Sequence, residues 1–251
     1  MACDPAVLIE QAKCILKCIP AGMMSSVNTA LLCQIANAEV VPPVGPTFPA
    51  GATNYYRLGE TSGNPRIDSV GAQNLAEVVG TVGQAAGISG NAANWAPSTG
   101  RLFKNLIPQN FLSPVSCSFW VNVDNLPGIT ADLIQGGGGD EDIKVKITSG
   151  GNIVLYNVND GDIVSIALGA LDAWHLVVVT VSGTSWSMSI DGGALNSGVV
   201  SNPPSEGSSF TVGTVTDLDS SIDEIAVFAN KILTAQEISD IWNGGTGTFL
   251  P

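Results

Sequence analysis

Residues 115–123 read VSCSFWVNV. Val115, Cys117, Phe119, Val121 and Val123 fall on one side of an extended chain. Two serines, Trp120 and Asn122 fall on the other. The same period of two recurs downstream. IKVKIT (143–148) alternates with both lysines outward, and NIVLYNV (152–158), DIVSIAL (162–168), WHLVVVTV (174–181) and WSMSIDG (186–192) follow at short intervals. Gly, Asn and Asp separate these runs, and Asp191-Gly192-Gly193 suits a tight hairpin turn. About twelve strands are expected between residues 53 and 228, which argues for an all-β sandwich or barrel. Trp174 and Trp186 are in phase with core positions, and Cys117 reads as a small core residue.

One helix closes this region. Thr234 and Glu237 form a capping box in Thr-Ala-Gln-Glu, and Leu233 and Ile238 flank it as a hydrophobic staple. Ile241 and Trp242 continue the apolar face, with Trp242 expected on the underside, and Asn243-Gly244-Gly245 ends the helix.

The chain begins differently. Residues 4–37 read as a helical hairpin. Asp4 is an N-cap and Pro5 sits at the first helical position. Leu8, Ala12, Ile15 and Ile19 make one stripe, Pro20 and Gly22 interrupt it, and Met24, Val27, Leu31 and Ile35 make a second. A piece this small buries too little to stand alone, so it must be cross-linked, docked or oligomerised. Cys3, Cys14, Cys18 and Cys33 leave free thiols, disulfides and a zinc site all open. Residues 39–53, rich in proline, read as a stiff extended linker. The expected organisation is a hairpin over 1–38, a linker over 39–53 and a β domain over 54–251.

Composition narrows the function. Of 251 residues, 45% are hydrophobic, which excludes a disordered acidic chain. Nine Lys and Arg against 22 Asp and Glu give a net charge of -13, the wrong balance for nucleic acid. The apolar runs are too short for a membrane span. Asp4, Glu10, Lys13 and Lys17 break up the first twenty residues, so no export signal is expected there.

Three stretches carry a family resemblance: YYRLGETSGNPRIDSVGAQNL (55–75), the pair SCSFWVNV (116–123) and WHLVVVTVSGTSWSMSIDGG (174–193), and SSIDEIAVFANKILTAQEISDIW (220–242). Together they resemble the laminin-G-like, or pentraxin-like, domain of the concanavalin A-like lectin/glucanase superfamily. The resemblance implies a mainly β fold: a two-sheet antiparallel jelly-roll sandwich with a short C-terminal helix. It also implies a calcium ion at the sandwich edge, held here by Asp68 and Asp223 with further oxygens completing the shell. ACDPAVLIEQAKC, CIPAGM and LLCQIANAE, in the first 38 residues, resemble a short leader on structural proteins of tailed bacteriophages.

Trp95, Trp120 and Tyr156 are the candidates for a sugar-stacking surface. The acidic run Asp140-Glu141-Asp142 reads as a solvated loop. A catalytic triad would have to use His175, the sole histidine, which lies inside a strand run and reads as structural. No strand carries the closely spaced carboxylates of a glucanase. The expected protein is therefore a non-enzymatic phage virion component, in capsid decoration or a tail fibre. It is made in the host cytoplasm, self-associates, and contacts other virion proteins through residues 1–38. The alternative is a carbohydrate-binding module that recognises a host surface glycan.

Overall fold

The computed structural model describes residues 45–95, 101–105, 113–137, 143–204, 209–213 and 219–250. The expected hairpin, its four cysteines and the acidic run 140–142 lie outside the described residues. Contacts divide the chain into two units, Met1–Gly45 and Pro46–Pro251.

The second unit is a sandwich of two antiparallel sheets. Its strands are β1 (Asn54–Tyr56), β2 (Ala76–Val79), β3 (Gly83–Ala86), β4 (Asn91–Trp95), β5 (Arg101–Asn105), β6 (Val115–Asn125), β7 (Ala131–Gly137) and β8 (Ile143–Ile147). They continue with β9 (Asn152–Asn157), β10 (Gly161–Ala167), β11 (Trp174–Ser182), β12 (Ser185–Ile190), β13 (Asn196–Val199), β14 (Ser209–Val212) and β15 (Asp219–Ala229). One sheet runs β13-β12-β11-β6-β15-β4-β3, with β1 paired to the second half of β15. The other runs β10-β9-β8-β7-β14-β5-β2.

The period of two builds the space between the sheets. Cys117, Phe119, Val121 and Val123 of β6 meet Ile143, Val145 and Ile147 of β8 and Ile153 and Leu155 of β9 in one continuous core. Burial pushes the Cys117 thiol up to about 12, so it is a neutral apolar filler there. The expected hairpin turn forms, with Asp191 at φ 55° and Gly192 at φ 67°, the left-handed pair that a two-residue turn requires.

The eight-stranded sheet is buried on its outer face as well. Trp120, Leu176, Val178, Ala226 and Phe228 point away from the main core into a second cluster with Leu233, Ile238 and Ile241. These last three come from the helix α1 (Ala235–Trp242) and its entry. Both halves of the capping box form, and Asn243 ends the helix in the left-handed conformation. Trp242 stacks on Trp120 with ring centroids 5.3 Å apart and planes 20° from parallel.

Part of the expected linker belongs to this layer. Phe48 packs edge-on against Tyr55 and stacks on Phe228, and the Lys231 ammonium donates to the Ala50 carbonyl at 2.7 Å. Residues 46–53 thus lie on the sandwich, because Phe48 finds apolar surface between the start of β1 and the end of β15. Gly213 shows how tightly the rim is filled. It has φ 78°, and a Cβ there would lie 2.2 Å from the Trp95 indole nitrogen.

Candidate functional site

The sequence proposed two kinds of site, an edge calcium centre and an aromatic face. Asp68 follows β1 in a tight loop and is buried. One carboxylate oxygen accepts the N–H groups of Tyr55, Val70 and Gly71 at 2.9, 3.1 and 2.9 Å. The other accepts the Asn54 amide at 2.6 Å and the Gln73 N–H at 3.0 Å. Burial alone would raise this carboxyl. The donors of Gly71, Tyr55, Asn54 and Gln73 outweigh it and hold the group below the usual carboxylate range.

Asp223 sits on β15 and is fully buried. Its oxygens accept from the Ser89 N–H at 3.3 Å and the Glu224 N–H at 3.0 Å. Burial and the neighbouring Glu224 push its pKa up to about 8. Glu224, which sequence reading passed over, occupies the bulge of β15 at φ 49° and bonds the Tyr55 hydroxyl. Its pKa also rises, to about 6, chiefly through burial. The signal for it was the Asp-Glu pair inside an otherwise apolar strand. Among the described residues, no three His, Cys, Asp or Glu side chains converge on a point that could hold a metal. Asp68 gives its lone pairs to five N–H donors, so its oxygens are not the free ones that calcium takes.

The aromatic candidates separate. Trp95 and Trp120 are each 1% exposed, so neither offers a ring face to a sugar. Trp95 points inward because it keeps phase with Ala93 on β4. Trp120 does point outward, as its alternation requires, but the closing helix covers that face. Tyr156 alone of the three is half-buried and reaches the surface, on the outer face of the seven-stranded sheet. There the Lys146 ammonium sits 3.0 Å from its ring centroid, a close cation–π contact.

That outer face is largely polar, with Val154 among its residues and bulges at Asp132/Ile134 and Asp162/Val164. Ile143, Val145 and Ile147 turn into the core, so Lys144 and Lys146 turn out. In register, Lys144 lies beside Tyr156, and Tyr156 beside Asp162. Lys146 lies beside Asp132 on one side and Val154 on the other, with Ser165 beyond. Cross-strand neighbours share a face, so these side chains form two adjacent rows.

His175 is structural in the described geometry. Its Nδ1 lies 2.7 Å from an Asp191 carboxylate oxygen and its Nε2 2.8 Å from the Ala170 carbonyl. Both ring nitrogens face acceptors, so neither is open to act as a base. The Asp191 hydrogen bond raises the imidazole pKa above its usual value, against burial. The sign follows from linkage. A raised folded pKa means that the clasp adds stability fully below about pH 6.5 and loses it as pH rises through the folded value. We expect His175→Gln to remove about 1–2 kcal/mol at pH 5.5 and progressively less toward pH 9. Urea unfolding of both proteins across that range reads this directly; a gap independent of pH would refute the charged clasp.

Two antiparallel sheets, a capped helix over one face and a polar open face over the other define a lectin-like β-sandwich. The chain belongs to the concanavalin A-like lectin/glucanases superfamily: the Laminin_G_3 family model matches residues 103–239, more than half of its length. No curated protein matches the sequence significantly. Among solved structures it is similar to a Trypanosoma rangeli sialidase, with a TM-score of 0.63 and 20% identity over 83% of this chain and 36% of that one. It is similar to the binding domain of botulinum neurotoxin serotype D, at 0.62 and 18% over 78% and 52%. A third is the receptor-binding domain of botulinum neurotoxin type G, at 0.58 and 17% over 77% and 51%. The chain spans between about a third and a half of these proteins. Identities this low carry the fold alone.

Proposed function

We propose that this chain is a non-enzymatic bacteriophage virion protein that displays a lectin-like jelly roll. Residues 1–38 anchor it to the particle or join copies of it. The observation that supports this most directly is the division into two units. The sandwich carries its own core and its own helical cover. A leader that cannot bury a core alone is then left to bind something else. Low Lys and Arg content suits a module that faces solvent rather than packaged DNA.

Two aspartates of the open sheet, Asp132 and Asp162, stand on β7 and β10. Three strand spacings separate them by about 14 Å, wider than the carboxylate pairs of glycosidases, which lie about 5–9.5 Å apart.

Light scattering on the full chain and on a chain beginning at Gly45 tests the division of labour. This start keeps Phe48, which packs on Tyr55 and Phe228. We expect the full chain to be a trimer or larger and the shortened one a monomer. Two monomers would leave the leader without an assembly role, and two oligomers would place the interface on the sandwich.

The second reading, compatible with the first, is adhesion to a host surface glycan. Tyr156 and the polar rows around it are the observation that favours it. Binding on a broad glycan array supports this reading, and silence across the array removes it.

A further inference from the structure

His175 is held by two acceptors at once. Its Nδ1 faces an Asp191 carboxylate oxygen at 2.7 Å, and its Nε2 faces the Ala170 carbonyl oxygen at 2.8 Å. Both ring nitrogens must carry a proton to satisfy both partners. A neutral imidazole has one N–H and one lone pair, so it can serve only one of the two. The geometry itself calls for the imidazolium.

The surroundings favour that charge. Asp191 is the charged group that faces the ring. The ring sits among β6, β11, β12 and the loops at 168–173 and 191–195, and these contain no Lys or Arg. Their other charged groups, Asp124 on β6 and Asp172 in the first loop, are both acids.

The two acceptors are not held equally. Asp191 is fixed to β11 without the histidine. Its other carboxylate oxygen accepts the Leu176 N–H at 3.0 Å, and its own N–H donates to the Leu176 carbonyl at 2.9 Å. A carboxylate is also the stronger acceptor. Ala170 lies in an exposed loop that is pinned at its ends. There the Leu168 N–H donates to the Gly151 carbonyl at 2.9 Å, and the Asp172 N–H donates to the Val123 carbonyl at 3.0 Å. Among the described residues, His175 makes the one hydrogen bond to the backbone between those pins. Gly169 at φ 95° and Asp172 at φ 55° are both left-handed, a conformation that costs an aspartate energy.

We infer that the proton on His175 is a latch for the loop at 169–171. With the proton present, both nitrogens donate and the loop is docked on the ring. When it passes to solvent, the remaining N–H stays on Nδ1 toward Asp191. The Nε2 lone pair then meets the Ala170 carbonyl, and the loop is released with the exposed Leu171 that it carries. Loss of the clasp thus changes one loop as well as the total stability. The sign follows from linkage. The Asp191 hydrogen bond raises the imidazole pKa against burial, so the latch is closed below about pH 6.5 and opens as pH rises through the folded value.

Two measurements on the full chain between pH 5.5 and 9 test this. Nitrogen NMR of the imidazole reads its protonation and tautomer. Amide hydrogen exchange, corrected for the intrinsic rate, reads the loop. The expected result is an Nδ1–H tautomer at pH 9. Exchange in the 166–173 segment should rise about five- to tenfold as the ring titrates, the size of one lost hydrogen bond. The turn at 190–195 should keep its protection. In His175→Gln the exchange of the loop should no longer follow pH. Asp191→Asn should move the midpoint to lower pH, because the raising partner loses its charge. Exchange that stays flat through the titration of the ring overturns the latch, as does a pH response that survives His175→Gln. An Nε2–H tautomer at pH 9, or loss of protection at 190–195 in place of the loop, overturns the assignment to Ala170.

Discussion

Asp68→Ala should destabilise the sandwich by about 4 kcal/mol, enough to remove most of the soluble folded protein. The reason is the number of donors that one carboxylate satisfies. The N–H groups of Tyr55, Val70, Gly71 and Gln73 and the amide of Asn54 all turn toward it in a buried loop. Alanine supplies no acceptor and leaves little room for water, so several donors lose their partners together. Gly71 shows the same crowding, since a Cβ there would lie 2.7 Å from the Asp68 carboxylate. Asp68→Asn should also be costly, because its amide nitrogen would face donors. The pH dependence has a definite sign. The folded pKa is depressed, so this contribution is present above about pH 3.9 and lost as pH falls through the folded value. Urea unfolding checks the size, and a loss under about 1 kcal/mol would show that the loop does not depend on this group. Calcium added to chelator-treated protein should leave the Tm unchanged, because the same lone pairs are occupied by N–H groups. A rise in Tm would restore the edge calcium site.

Trp120→Ala should cost about 3–5 kcal/mol and lower the Tm by roughly 10 °C. The indole is buried between its own sheet and Trp242, so its removal opens a cavity beneath α1. A tryptophan that stacks on sugars behaves in the opposite way, losing ligand while sparing stability. Any glycan that the parent binds should therefore still bind Trp120→Ala at a temperature where the variant remains folded. The stacked pair should also give a coupled near-ultraviolet circular dichroism signal that disappears equally in Trp120→Ala and Trp242→Ala. Loss of binding at unchanged Tm would return Trp120 to the ligand surface.

Most of the sandwich was legible because strand periodicity is local. Val115 to Val123 and Ile143 to Ile147 announce their inner faces by alternation alone, and the structure keeps those faces, whereas Trp174, expected in phase with the core, packs half-buried against the outer cluster under α1. The capping box at Thr234 and Glu237 was equally plain, since a cap is built from residues three apart. Alternation failed at bulges: in β7, Leu133 and Ile134 both enter the core, and β15 shows the effect most fully. Ile222 faces the core, and strict alternation would then bring Glu224 and Ala226 inward. The bulge at Glu224 shifts the phase, so Ile225 and Val227 enter the core and Ala226 faces α1. A bulge depends on the partner strands, β1 and β6, which are far away in sequence.

The candidate site was legible only in part, for a related reason. Alternation states which side of a strand a residue leaves from, but not what lies on that side. Trp120 and Tyr156 read alike in the sequence, each an aromatic on an outward face. Packing separates them: α1 and Phe48 close over the eight-stranded sheet, and no such layer covers the described part of the other. Likewise the sequence marked Asp68 as an acid beside a turn, without the five donors that only the folded loop brings to it. What the sequence by itself determined was the strand periodicity, the helix and its caps, the family and the acidic charge, all set by neighbours a few residues apart. Which faces are covered, which carboxylates are engaged and where the chain phase slips were decided by tertiary structure, because each depends on groups brought together from distant parts of the chain.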